Sequence, residues 1–333
     1  MINEIEDQFN EALKLCNQGD YEKAFDLYTK AADQGHPGAQ NNLGNMYQQG
    51  KGVDEDPDKA FELFQKAANQ GDVSSQHNLG WMYYQGKGVE QNYKKAFEWY
   101  EKAAAAGDKD AQCALGFMYE NGKGVEQDYK KAIECYNELA DQGYVLAQNM
   151  LGYLYHNGIG VEQDYEKAFN LFTKAAEQEL GEAQFNLGEM YEKGQFVEQN
   201  DKETFSWYEK AAKQGHAPSQ HKIGKMYDQG RGVKKNHKKA FDWYKKSADQ
   251  NYIHAQFDLG GSYFLGQGVA KDYRKALDLY IKAEKQSDVD YNNDGKFYTG
   301  VDSIELFNWC KHAVETAKIA VQSKFWLNGQ LND

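Results

Sequence analysis

Apolar residues along this chain fall at helical spacing, and they do so repeatedly in the same order. In residues 39–47, Ala39, Leu43, Met46 and Tyr47 occupy i, i+4, i+7 and i+8, one face of an α-helix. In residues 60–68, Ala60, Phe64, Ala67 and Ala68 repeat that spacing on a second helix. Gly50 and Gly52 break the chain between the two, and Asn69-Gln70-Gly71 supplies a glycine stop after the second. Two such helices cannot bury both faces alone, so neighbouring pairs are expected to stack and share a core.

A Leu-Gly pair (once Ile-Gly) recurs at 43–44, 79–80, 115–116, 151–152, 187–188, 223–224 and 259–260, always 36 residues apart. A glutamine stands three residues before each pair, from Gln40 to Gln256, and a tyrosine three residues after each glycine, from Tyr47 to Tyr263. Lys-Ala marks the second helix at 23–24, 59–60, 95–96, 131–132, 167–168, 239–240 and 275–276. At 203–204 the pair is Glu-Thr instead. Glycine inside a helix costs about 1 kcal/mol relative to alanine. Its return in every unit predicts a partner helix so close that no side chain fits.

The string L-G-x-x-Y followed by A-x-x-x-F resembles the tetratricopeptide pattern, whose period is 34. The 36-residue period, and residues 89–107 (VEQNYKKAFEWYEKAAAAG), resemble the Sel1-like repeat family instead. The resemblance spans residues 21–287. It implies an all-α fold: a right-handed α/α superhelical solenoid, related to tetratricopeptide arrays, with a C-terminal capping helix. The expected layout is an N-terminal capping hairpin at 1–36, seven repeats at 37–287, and an acidic linker with a capping helix at 288–333. The turn reads GxGV in six repeats but Gly194-Gln195-Phe196-Val197 in the fifth, which leaves either drift in a tolerant loop or Phe196 as a contact residue.

In the C-terminal segment, Ile304, Phe307, Cys310, Val314, Ala317 and Val321 predict an amphipathic helix over 302–323, with Asp302 and Glu305 as its N-terminal cap. Asp290, Asn292, Asp294 and Gly295 match the start of a calcium loop. The position that requires glutamate is Val301, so an acidic linker is the preferred reading and calcium the weaker one.

The formal net charge of −13 disfavours a nucleic-acid backbone or an anionic membrane as partner. No stretch approaches the roughly 18 apolar residues of a membrane span. The start MINEIEDQFNEALKL lacks the features of a secretory signal. Cys16, Cys113, Cys135 and Cys310 are scattered, without zinc or disulfide spacing. These features lead to the expectation of a cytoplasmic, monomeric protein with no cofactor.

Comparing the repeats separates positions that hardly vary, such as Gln40, Leu43, Gly44 and Tyr47, from three that vary freely. The first row is Asn41, His77, Cys113, Asn149, Phe185, His221 and Phe257; the second is Asn45, Trp81, Phe117, Tyr153, Glu189, Lys225 and Gly261; the third is Gln48, Tyr84, Glu120, His156, Glu192, Asp228 and Phe264. Their i, i+4, i+7 spacing places them on one face of the first helix. By resemblance to tetratricopeptide arrays, that face lines a concave groove. Trp81, Tyr84, Phe117 and Tyr153 form an aromatic stripe, with Glu120, His156 and Phe185 beside it. Glu189, Glu192, Lys225 and Asp228 follow as a charged stretch, then Phe257 and Phe264. Aromatics at positions that accept Asn or Lys elsewhere point to recognition, because they bury large area at modest entropy cost. A core role against neighbouring repeats is the alternative.

No catalytic motif stands in the sequence. The expected function is a non-enzymatic bacterial adaptor or scaffold that holds a protein or peptide in the groove. The resemblance also permits an immunity protein that neutralises a toxic effector, a host-directed effector, or weak β-lactam binding. The last is the weakest, because paired cysteines in each repeat are missing.

Overall fold

The computed structural model describes residues 2–292 and 310–321. Among these residues there are 17 helices and no strand. The chain forms two compact units, residues 1–164 and residues 165–333. The first unit contains α1 (Ile2–Gln18), α2 (Tyr21–Asp33), α3 (Pro37–Gln49), α4 (Pro57–Asn69), α5 (Val73–Gln85), α6 (Tyr93–Ala105), α7 (Lys109–Asn121), α8 (Tyr129–Asp141) and α9 (Val145–Asn157). The second contains α10 (Tyr165–Glu177), α11 (Gly181–Lys193), α12 (Asp201–Lys213), α13 (Ala217–Gln229), α14 (His237–Asp249), α15 (Ile253–Leu265), α16 (Tyr273–Asn292) and α17 (310–321). Within each unit, consecutive helices pack as hairpins, and each hairpin packs on the next. Among the described residues no helix is long and apolar enough to cross a membrane.

The recurring residues each have a local cause. The first helix of a repeat ends on a left-handed glycine, as at Gly50 with φ 63°, a conformation that a Cβ disfavours. The chain then folds back, and the backbone N–H of Asp56 donates to the carbonyl of Tyr47 at 2.9 Å. Asp56 caps α4 by accepting from the N–H of Lys59 at 3.0 Å. The Lys59 ammonium reaches back over the Tyr47 ring, 5.1 Å from its centroid. The same lysine–tyrosine stacking joins Lys95 to Tyr83, Lys131 to Tyr119 and Lys239 to Tyr227. Ala60, in the Lys-Ala pair, is wholly buried where the two helices meet.

The helical glycine sits under an aromatic ring twenty residues on. A Cβ built on Gly44 would lie 2.8 Å from Phe64, and one on Gly80 would lie 2.8 Å from Tyr100. The close neighbour is therefore a ring carried by the partner helix, rather than its backbone. The recurring glutamine links hairpins: Gln40 donates to the Ala32 carbonyl at 3.2 Å.

The fifth repeat departs structurally where it departs in sequence. Phe196 takes the left-handed conformation of the glycine it replaces, with φ 65°, and is 51% exposed. Its ring lies 5.5 Å from that of Phe169. Thr204, in the exceptional Glu-Thr pair, is fully buried, and its hydroxyl finds no hydrogen-bond partner.

Residues 310–321 are helical, and Cys310, Val314 and Ala317 are buried on α15 and α16. The rest of the expected 302–323 helix lies outside the described residues. The α16 helix runs on to Asn292, so Asp290 and Asn292 stand on helical backbone, while Asp294 lies outside the described residues.

Candidate functional site

The three variable rows do not share one environment. Asn41, in the first row, is buried and accepts hydrogen bonds from Ser75 and Asn78, both at 3.0 Å. Asn149 and His221 of that row are also buried. Asn41 thus faces the following repeat, whereas His77 and Cys113 of the same row stand beside Trp81, Tyr84 and Phe117. Phe185 packs within its own repeat, its ring lying 5.5 Å from that of Tyr208 and 5.2 Å from that of His216.

Trp81 on α5 and Phe117 on α7 belong to the second row, and Tyr84 at the end of α5 to the third. These three converge on one cavity of about 420 Å³ within the first unit. Leu146 and Met150 of α9, with Tyr144 just before it, form the far wall. The Tyr84 ring lies 6.3 Å from that of Phe117 and 5.1 Å from that of Tyr93. Lys87, in the turn after α5, holds its ammonium 5.5 Å from the centre of the Trp81 ring. Tyr153 and His156, one repeat on, are half-buried on α9 and do not line this cavity.

The polar groups around the cavity are tied to one another. His77 is 3.1 Å from Asp108 and edge-on to Tyr100. Asp108 also caps α7, accepting from the Ala111 N–H at 2.6 Å. The Tyr144 hydroxyl donates to Asp110, an exposed carboxylate on the rim. Burial pushes the Cys113 thiol up to about 12, with Asp110 adding to the effect, so it stays protonated and inert at neutral pH.

Glu120 lies next to this site but is committed to the fold. It is buried, and its carboxylate accepts from the Tyr136 hydroxyl at 3.1 Å. Burial raises its pKa, and the tyrosine bond offsets part of that rise. Tyr136 stands sixteen residues after Glu120, and the same pairing recurs as Tyr208 and Glu192 at 2.8 Å.

The charged stretch of the second unit is a connected network. Glu192 accepts from Lys222 at 2.7 Å and Arg231 at 3.0 Å, and Arg231 also holds Asp201 at 2.8 Å. Glu189 pairs with Lys193 at 2.9 Å and with Lys222 at 3.5 Å. Lys225 is exposed. Phe257 and Phe264 are half-buried and pack against the clusters that include the buried side chains of α17. Among the described residues no group of three His, Cys, Asp or Glu side chains is arranged to hold a metal ion.

The Sel1 repeat family matches residues 16–36, 37–72, 73–108, 109–144, 145–180, 181–216, 217–252 and 253–288. No curated protein matches the chain. Among solved structures it is similar to c5321, a protective antigen of uropathogenic Escherichia coli strains displaying an SLR fold. The two are 30% identical with a TM-score of 0.58, over 98% of this chain and 82% of that one. It is also similar to a Sel1 repeat protein from Oxalobacter formigenes, at 32% identity and a TM-score of 0.68, over 73% of this chain and 99% of that one. The likeness to yeast Tom70, at 14% identity and a TM-score of 0.54, is one of fold alone.

Proposed function

This chain belongs to the Sel1 repeat family, and we propose from that footing that it is a non-enzymatic module that binds another protein. One observation carries the reading. Trp81, Tyr84 and Phe117, from two successive repeats, line a single cavity of about 420 Å³. Repeats elsewhere fill the Trp81 position with Asn45, Glu189, Lys225 or Gly261, so the repeat itself has no need of a large ring there. An aromatic-walled cavity on a rigid helical frame suits a protruding side chain of a partner protein. The reactive groups nearby support binding over catalysis, since His77 is engaged by Asp108 and the Cys113 thiol is held protonated.

The test is capture of partners from native lysate by the tagged chain, with a Trp81→Ala/Phe117→Ala variant of unchanged helicity as control. A partner retained by the chain and lost by the variant is the expected result. Equal capture by both would remove the cavity from consideration.

A further inference from the structure

We propose that the cavity of the first unit receives a bulky apolar side chain carried on a basic segment, so that the ligand is a cationic peptide stretch with an aromatic or large aliphatic anchor. This rests on the binding reading above and adds the chemistry of the partner.

Charge is distributed unevenly along the chain. Residues 1–164 contain 27 of the 51 acidic residues and 14 of the 38 basic ones, so the whole formal charge of −13 lies there. Residues 165–333 are formally neutral. The cavity is therefore set in the half of the chain whose field attracts cations and repels anions.

Trp81, Tyr84, Phe117, Leu146 and Met150 form an apolar lining, which selects an apolar anchor. The space exceeds any single side chain, so the anchor enters together with part of its flanking chain. At the rim stands Asp110, exposed and oriented by the Tyr144 hydroxyl. No lysine or arginine lines the cavity. The Lys87 ammonium lies 5.5 Å from the centre of the Trp81 ring, so a cationic ligand displaces it from that face. An apolar floor with an anionic rim calls for an apolar anchor with cationic neighbours.

The experiment selects random twelve-residue peptides on the full chain, with counter-selection against the Trp81→Ala/Phe117→Ala variant. Peptides that depend on the cavity are expected to carry net positive charge around an aromatic or large aliphatic residue. A synthetic representative should bind about tenfold more weakly to the double variant. It should also weaken several-fold when salt rises from about 0.05 to about 0.5 M, and with Asp110→Asn, an exposed change that leaves the core intact. Cavity-dependent peptides that are neutral or acidic, or that bind equally at both salt levels, overturn the basic-partner inference and leave the cavity reading standing. If no peptide survives the counter-selection, the cavity reading itself falls.

Discussion

The side-chain amide of Gln70 donates to the side-chain oxygen of Gln40 at 2.8 Å, thirty residues back along the chain. The same link joins Gln214 to Gln184 and Gln250 to Gln220. At Gln76 the partner position is Ala106, and the Gln76 side-chain oxygen is buried without a hydrogen-bond partner. Ala106 is exposed at the end of α6, so a glutamine has room there. Ala106→Gln should therefore stabilise the protein by about 1 kcal/mol. A urea midpoint that stays still or falls would show that the missing donor is not what limits this junction.

Thr204 offers a second gain. Six other repeats place alanine at this position, and the Thr204 hydroxyl is buried with no partner. Removing an unsatisfied buried hydroxyl relieves a cost of about 1–3 kcal/mol. Thr204→Ala should raise the thermal midpoint, with the change confined to protection of α11 and α12 in hydrogen exchange.

Gly44 tests the packing account of the recurrent glycine. Alanine is the better helix former by about 1 kcal/mol, but its Cβ would meet the Phe64 ring at 2.8 Å. Gly44→Ala alone should destabilise by about 1–3 kcal/mol. In a Phe64→Leu background, itself destabilised, the added alanine should cost little or become favourable. Equal penalties in both backgrounds would mean that the ring is not the obstacle.

Acid should loosen the second unit in two steps. Burial, with the His221 charge beside it, holds His254 down to about 4. A histidine depressed in the folded state loses stability as pH falls from about 6.5 toward 4, because the unfolded chain takes up its proton first. Burial raises the Glu192 pKa, but Lys222, Tyr208 and Arg231 outweigh it and bring it to about 2. Its contribution is present above about 4.5 and is lost as pH falls toward 2. His254→Asn should flatten the upper window of a stability-against-pH curve, and Glu192→Gln the lower. Glu192→Gln should also cost about 2 kcal/mol at neutral pH, where Lys222 and Arg231 lose their partner.

Val314 of α17 is buried in one cluster with Tyr280 of α16, against which Phe257 and Phe264 of α15 pack. Val314→Asp places a carboxylate in that contact and should detach the helix. Binding of a dye specific for exposed apolar surface should rise, while the helices of the first unit keep their protection. Unchanged dye binding would count against α17 as a cover for these rings.

The sequence alone determined the elements and their order. A 36-residue period, glycine stops, Asp or Asn caps and a glycine under a ring are local features, repeated in each unit, and each is satisfied within one hairpin or its neighbour. Trp81, Tyr84 and Phe117 stood out by the same means, because other repeats do without rings there. Tertiary structure decided the rest. It turned Asn41 toward the next hairpin, drew Glu120 to Tyr136, brought Leu146 and Met150 from α9 into the cavity wall, and packed Phe257 and Phe264 against the cluster that holds α17. Periodicity tells which side of a helix a residue occupies. What lies opposite that side depends on contacts between segments far apart in the chain, and a single helix's spacing carries no record of them.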